Sequence, residues 1–314
     1  MSAHAERRTI LVSDASHHDE QLAIEAELWG RRAREQARTI PPEWNSHRAL
    51  RSNALVHAAH IDELLRVVRP GVRALEIGCG SGWLSLALAR HGALVDGIDV
   101  SDEAIAVARS HYESVKDEVS GRVRYRVADL GSLELPEATY DVVVAKGILH
   151  HLPEPGRVLE GAFRSLVPGG LLWISDTHGD EPKLTVLVAG LLMLVLPTEL
   201  DYATKLRALL RFGVHIPSRV KMSMEGHGGS PFEGVGRAHD WSGLVSRRFV
   251  VEKRVIHPAL TGYLAGHLRL SDQVAFPLLR GIRAVDAALV RLRILGSTGI
   301  TIHARKPRPD GGAD

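Results

Sequence analysis

Residues Leu75 to Trp83, LEIGCGSGW, join a short apolar run to three glycines at positions 78, 80 and 82. An acidic residue, Glu76, lies inside the run, and the helix-like stretch LSLALAR follows from Leu84 to Arg90. Glycine adopts backbone conformations closed to other residues and lets a ligand approach the main chain. The stretch therefore predicts a strand, a tight glycine turn, and a helix whose first N–H groups face whatever the turn holds.

Several nucleotide-like cofactors use such a turn, and spacing separates them. A dinucleotide fingerprint, GxGxxG, needs its last glycine at position 83, where Trp83 stands. A phosphate-cradling P-loop needs GKS or GKT after the turn, and neither follows. The remaining pattern, GxGxG preceded by Glu76, resembles motif I of the class I S-adenosyl-L-methionine (SAM) dependent methyltransferases.

Later segments extend that resemblance in order. Ala93 to Ile98 (ALVDGI) reads as a second strand ending at Asp99, the distance at which a Rossmann-like unit places a ribose-binding carboxylate. The competing role for Asp99 is a helix cap, but Ser101 or Asp102 already suits that purpose for the helix Glu103 to Ser110. Val123 to Ala128 (VRYRVA) reads as a third strand, followed by Asp129 and Leu130. Tyr140 to Ala145 (YDVVVA) forms a β-branched fourth, followed by Lys146 to Leu152 (KGILHHL). DVVVAKGILHHL resembles the fourth-strand segment of the ubiquinone and menaquinone methyltransferase-like branch, as does the Pro-Gly-Gly turn within Leu166 to Asp176 (LVPGGLLWISD).

The resemblance covers about residues 55 to 176. It implies an α/β fold: a Rossmann-like, seven-stranded, mostly parallel sheet with flanking helices, the cofactor lying at the carboxyl ends of the strands. It also implies SAM as cofactor and S-adenosyl-L-homocysteine (SAH) as product. The cofactor contacts it implies are Glu76, Gly78, Cys79, Gly80, Asp99, Val100, Asp129, Leu130, Ala145 and Lys146. Asp99 would hold the ribose, Gly78 and Gly80 would let the backbone meet the amino-acid end, and Asp129 would flank the adenine.

Composition fits a globular enzyme: the 314 residues are 45% hydrophobic, enough for a full core and an additional lobe. The single cysteine, Cys79, excludes an internal disulfide framework and is read as a small packing residue. The N-terminal twenty residues lack an apolar stretch of signal-peptide length, so a cytoplasmic location is expected. Residues 1–70 read as a helical cap, with Glu20 to Arg38 ended by Pro41-Pro42 and a second helix from Asn53 to Val68. In resembling enzymes such helices cover the cofactor, a place that Trp29 or Trp44 would suit as well as simple packing.

Residues 71–179 form the expected SAM-binding core, 180–235 a helical lid insertion, and 236–314 the rest of the core with a second insertion at about 259–295. Asp240 to Arg248 suits a helix, Phe249 to Ile256 the sixth strand, and Thr298 to Arg305 the seventh. In the first insertion, Leu184 to Leu196 (LTVLVAGLLMLVL) is too short to span a bilayer. Three readings stay open for it: a buried lid helix, a homodimer contact, or a surface for a lipid-like acceptor or peripheral membrane contact. Asp201 to Phe212 continues as a helix, and Glu225 to Gly236 is glycine-rich in the manner of a closing loop.

Residues 201 to 309 hold 18 Lys or Arg against 7 Asp or Glu, although the whole chain carries only +2. A solvated basic face explains this, as on the helix Phe276 to Leu295; an anionic partner is the alternative. Nucleic acid is disfavoured, because aromatics make up 5% of the chain and the basic segment has no aromatic interleaving of the kind that stacks unpaired bases.

Methyl transfer needs alignment in a dry pocket, and a general base when the acceptor is a hydroxyl, amine or carbon acid. Among 17 histidines, His150, His151 and His178 follow the fourth and fifth strands, and they are the candidate bases. His215, His227 and His239 are reserves on the insertion. No metal is expected, since His178 with Asp176 and Asp180 is a weak ligand set. The chain is thus read as a methyltransferase of a small, partly apolar, conceivably anionic molecule, such as a natural product, glycolipid or quinone-like acceptor, through O- or C-methylation. Two rivals stand beside it: a SAM-fold enzyme that cyclises or rearranges its substrate, and a non-catalytic binding subunit.

Overall fold

The computed structural model describes residues 3–39, 51–177, 183–212, 231, 240–297 and 299–309. Its strands are β1 (Arg73–Ile77), β2 (Leu94–Asp99), β3 (Arg122–Val127), β4 (Tyr140–Lys146), β5 (Leu166–Thr177), β6 (Val250–His257) and β7 (Gly299–Arg305). They form one seven-stranded sheet in the order β3-β2-β1-β4-β5-β7-β6. All neighbours pair in parallel except β7, which runs antiparallel to both β5 and β6. The order reverses between β1 and β4, which opens a crevice at the carboxyl ends of the strands.

The strands of the middle of the sheet are apolar because helices cover both faces. Four of the five residues of β1 are buried. On one face α2 (Ala58–Val67), α3 (Trp83–Arg90) and α4 (Asp102–Val115) close over Ala74, Val144 and Trp173. On the other, α5 (Pro155–Ser165) and a helix from Trp241 to Arg248 cover Leu75, Val143 and Ile174. Ser101 caps α4 by accepting from the Ala104 N–H at 3.3 Å, and Asp240 caps the Trp241–Arg248 helix through the Gly243 N–H. Two expected elements differ in detail. The helix expected from Asn53 opens as a π-helical turn, Asn53–His57, before α2, and the Pro-Gly-Gly turn lies inside β5, where pairing with β4 shifts register.

A long helix, α1 (Ala3–Thr39), crosses the carboxyl ends of the first strands and packs on α4. The approach is close at Gly30, where a Cβ would run into Glu103 and Ser101, and an Arg34–Glu103 ion pair flanks it. The chain after β5 builds a second helical layer. Extending the helix labels in chain order, α6 is Lys183–Val195, α7 is Tyr202–Phe212, α8 is the Trp241–Arg248 helix, α9 is Ala259–Ala265 and α10 is Asp272–Arg291. The second leftover stretch therefore folds as two helices. Met193, Leu264, Leu268, Ala275 and Leu279 make a small core with Leu55 and Val56 of the π-helical turn. Arg51 pins that layer through Asp272 (2.7 Å) and the Leu268 carbonyl (2.8 Å). Among the described residues no helix is long and apolar enough to cross a membrane. Of the open readings for the Leu184 run, α6 buries Thr185, Ala189, Gly190 and Met193 while leaving Leu184, Leu191 and Val195 exposed.

Candidate functional site

The glycine turn is held against β2 before any ligand arrives. The Gly78 and Cys79 N–H groups both donate to the Ile98 carbonyl, at 2.8 and 3.0 Å. Gly78, Gly80 and Gly82 all have positive φ, which only glycine takes without strain. Their surroundings divide their work. A Cβ on Gly82 would strike Tyr125 and Ala108, so this glycine serves close packing; a Cβ on Gly80 would meet nothing, because Gly80 faces open space.

Asp99 closes that space from the end of β2. Its Oδ2 accepts the Gly80 N–H at 2.8 Å, and its Oδ1 accepts the Ser101 N–H at 3.0 Å. Burial pushes its carboxyl above the ordinary range, while N–H groups of Ser101, Gly80 and Val100 pull it back. Each oxygen accepts one N–H and so keeps further acceptor capacity at the cavity wall, as a carboxylate that accepts two hydroxyls requires.

The cavity has a volume of about 960 Å³. Its floor is Glu76, Gly78, Cys79, Gly80, Asp99 and Val100; Asp129 and Leu130 stand at one side and Lys146 at the other. Ala145 does not line it: the side chain is buried in the apolar core behind the sheet. Asp129 accepts the Gly131 N–H at 2.9 Å, which orders the loop beyond β3. Burial pushes the Glu76 carboxyl up to about 8 despite its hydrogen bond from Ser85, so the group is mostly protonated at neutral pH. Burial pushes the Cys79 thiol far up, which suits a packing residue and not a nucleophile.

The roof is α1. His18, Leu22, Glu25, Trp29, Ala33 and Gln36 recur at helical spacing along its inner face and all line the cavity. Of these, only Trp29 was singled out from sequence; the stripe at steps of three and four was legible but lay within a charged, alanine-rich run. Trp44 lies outside the described residues.

The three candidate bases part company. His150 is buried behind His151 and does not line the cavity: its ring lies 3.9 Å from that of His151, and its Nδ1 lies 2.5 Å from Asp176 Oδ1. Asp176 also accepts the N–H groups of Ile148 (2.9 Å) and Leu149 (2.6 Å), which fastens the turn after β4 to the end of β5. Burial opposes the charge of Asp176, but the His150 hydrogen bond and those of Thr177 and Leu149 outweigh it and hold its carboxyl below the usual range. His151 lines the cavity, with Nδ1 3.4 Å from Glu25 Oε1 and its ring edge-on to Trp29 at 5.1 Å. Trp29 Nε1 donates to the same Glu25 oxygen at 2.7 Å. His178, His215, His227 and His239 lie outside the described residues, as does the glycine-rich stretch apart from Pro231. Among the described residues no group of His, Cys, Asp or Glu is arranged to hold a metal ion.

Farther along the same rim is a polar row that motif reading did not find. His57 Nδ1 lies 3.4 Å from Ser175 Oγ, Thr301 Oγ1 donates to Ser175 Oγ at 3.1 Å, and His257 Nε2 lies 2.8 Å from Thr301 Oγ1. The His57 and His257 rings meet edge to face at 4.8 Å. Burial depresses both imidazoles, His257 to about 3, and the nearby Lys146 charge lowers them further. Four separate segments supply this row, so no local pattern announces it.

Similarity to known proteins centres on this cavity. Residues 75–174 match the methyltransferase domain family. A ubiquinone biosynthesis O-methyltransferase of Coxiella burnetii is 30% identical over 148 residues, 47% of this chain and 62% of that protein. The protein of the same name in Pseudomonas fluorescens is 38% identical over 140 residues, 44% of this chain and 58% of that protein. The chain therefore spans less than two thirds of the curated relatives it matches, 62% and 58% of their lengths. Among solved structures, a SAM-dependent methyltransferase from Mesorhizobium loti is similar over 78% of this chain and 96% of that one, at 20% identity and a TM-score of 0.43. The match to the methyltransferase domain family over residues 75–174 takes in Gly78, Gly80 and Asp99 on the cavity floor.

Proposed function

We propose that the chain transfers the methyl group of SAM to a small, partly apolar molecule, with O-methylation favoured. The observation that carries this is the meeting of Gly80 and Asp99 in one cavity. An N–H to carboxylate bond of 2.8 Å sets the acid at the height of an open glycine turn, which fits a nucleoside whose ribose hydroxyls reach the acid while its chain follows the turn. SAM supplies a methyl carbon already activated by its sulfonium, so the protein need only bind, orient and exclude water.

The remaining residues divide that work. Asp99 accepts the ribose hydroxyls, Asp129 and Leu130 flank the adenine, and Gly78 and Gly80 follow the amino-acid end. The α1 roof keeps water out. His151 takes the proton of the acceptor, since Glu25 beside Nδ1 favours the tautomer whose Nε2 accepts. The name shared by the two curated relatives, an O-methyltransferase of ubiquinone biosynthesis, supports an oxygen acceptor with an apolar body.

The test is calorimetric. Asp99→Ala and the gentler Asp99→Asn should each weaken SAH binding at least a hundredfold while circular dichroism stays that of the folded protein. Unchanged affinity in both variants would remove Asp99 from the site and the reading with it.

A further inference from the structure

We infer that the Lys146 side chain is an anion receptor on the cavity floor, placed to take a carboxylate. The inference rests on the proposed function and adds to it the ligand group read by one residue. Lys146 ends β4 beside Ser175 of β5 and points to the same face of the sheet as Glu76. It lines the cavity, and its ammonium stands 5.5 Å from the centre of the Trp83 ring, at the first turn of α3.

This cation is held but not neutralised. No ion pair joins it to a carboxylate of the described residues. Its two acidic neighbours are both engaged elsewhere. Asp176 is taken up by His150 and the N–H groups of Ile148, Leu149 and Thr177, and Glu76 by Ser85. Glu76 is moreover mostly uncharged at neutral pH, as its raised carboxyl requires. Burial works against the ammonium, and the fields of Asp176 and Glu76 only partly offset it. The Trp83 face supplies its sole stacking partner among the described residues, and a cation over an aromatic ring still accepts an anion from its open side.

Charge decides which part of a ligand belongs there. SAM carries a sulfonium, an ammonium and one carboxylate, and Lys146 repels the first two and attracts the third. An amino-acid end of SAM held along Gly78 would bring that carboxylate to the β1 and β4 ends. The same chemistry could come from an acceptor that bears a carboxylate. Both sources share one recognition event, a charge-assisted hydrogen bond to Lys146 Nζ in a space shielded from water.

Calorimetry on the full chain separates them, with SAH, its decarboxylated analogue and 4-hydroxybenzoate as probes. If the carboxylate is the cofactor's, Lys146→Met should weaken SAH about tenfold to a hundredfold. The decarboxylated analogue should then bind both proteins within a factor of two, and Lys146→Arg should recover part of the loss. If the carboxylate is the acceptor's, SAH affinity should hold while 4-hydroxybenzoate, bound by the SAH-loaded wild type, is lost in Lys146→Met. A response to neither probe overturns the inference, and so does an equal loss for SAH and its decarboxylated analogue. Lys146→Gln, checked by its melting temperature, serves if the methionine variant fails to fold. Failure of the wild type to bind SAH at all would instead strike the cofactor assignment, and this inference with it.

Discussion

The two halves of the sheet rim are built by different rules. Over β1 and β2 the chain presents main-chain N–H groups, glycines and the Asp99 carboxylate, all supplied within a few residues of a strand end. Over β5, β7 and β6 it presents His57, Ser175, Thr301 and His257, gathered from the π-helical turn and three strands and roofed by α6, α9 and α10. The first half is a motif that holds a ligand common to many enzymes. The second depends on which helices follow β5. Lys146 lies at the seam, with Glu76 on one side and the histidines on the other.

Acid should break the second half first, and this is the largest effect expected. A histidine buried as the neutral form has a folded-state pKa below its unfolded one, so the unfolded chain binds more protons between the two values. Stability is then complete above the ordinary 6.5 and is lost as pH falls toward the His257 value of about 3. His257 alone should cost about 3 kcal/mol by pH 4, and His57, His60 and His303, also depressed by burial, act in the same direction. Denaturant midpoints from pH 7 to pH 4 should show this, and His257→Asn should flatten the profile; an unaltered slope would show that His257 is not buried neutral.

Leu264→Ala should next test whether the halves are independent. Leu264 is fully buried in the small core of the helical layer, and its truncation should cost about 3 kcal/mol while leaving SAH affinity within a factor of two. A parallel loss of SAH binding would mean that the layer shapes the cofactor side as well.

Two glycines sharpen the first half. Gly82→Ala, which drives a Cβ into Tyr125 and Ala108, should cost about 2 kcal/mol or more in stability. Gly80→Ala has room but keeps a positive φ, so it should cost only about 1 kcal/mol and show itself as weaker SAH binding. The smallest signal is a proton. A cation brought beside Glu76 should ionise its carboxyl near pH 7 and release a proton, making the SAM binding enthalpy depend on the ionisation heat of the buffer. Glu76→Gln should abolish that dependence.

Much of the first half was readable before the fold was known. The glycine spacing, the carboxylate at the end of the second strand and the Ser101 cap all arise from short-range backbone geometry, and each falls within a residue or two of its observed place. The histidines show the limit. His150 and His151 are adjacent and their rings lie 3.9 Å apart, yet one braces Asp176 and the other lines the cavity, a division that depends on where the turn after β4 meets the end of β5. Periodicity alone could have exposed the α1 stripe from His18 to Gln36, but which element that stripe faces is set by the approach at Gly30.

LEIGCGSGW, with Asp99 nineteen residues after Gly80, was enough to establish the turn and the strand and helix on either side of it, since steric limits on φ and ψ act within a few residues; the class of cofactor needed Asp129 and DVVVAKGILHHL as well. The company kept by Lys146, the separation of His150 from His151 and the row from His57 to His257 required the closed sheet. They bring into hydrogen-bonding distance residues up to 126 positions apart, as Ser175 and Thr301, and only packing brings such groups within reach of each other's charge.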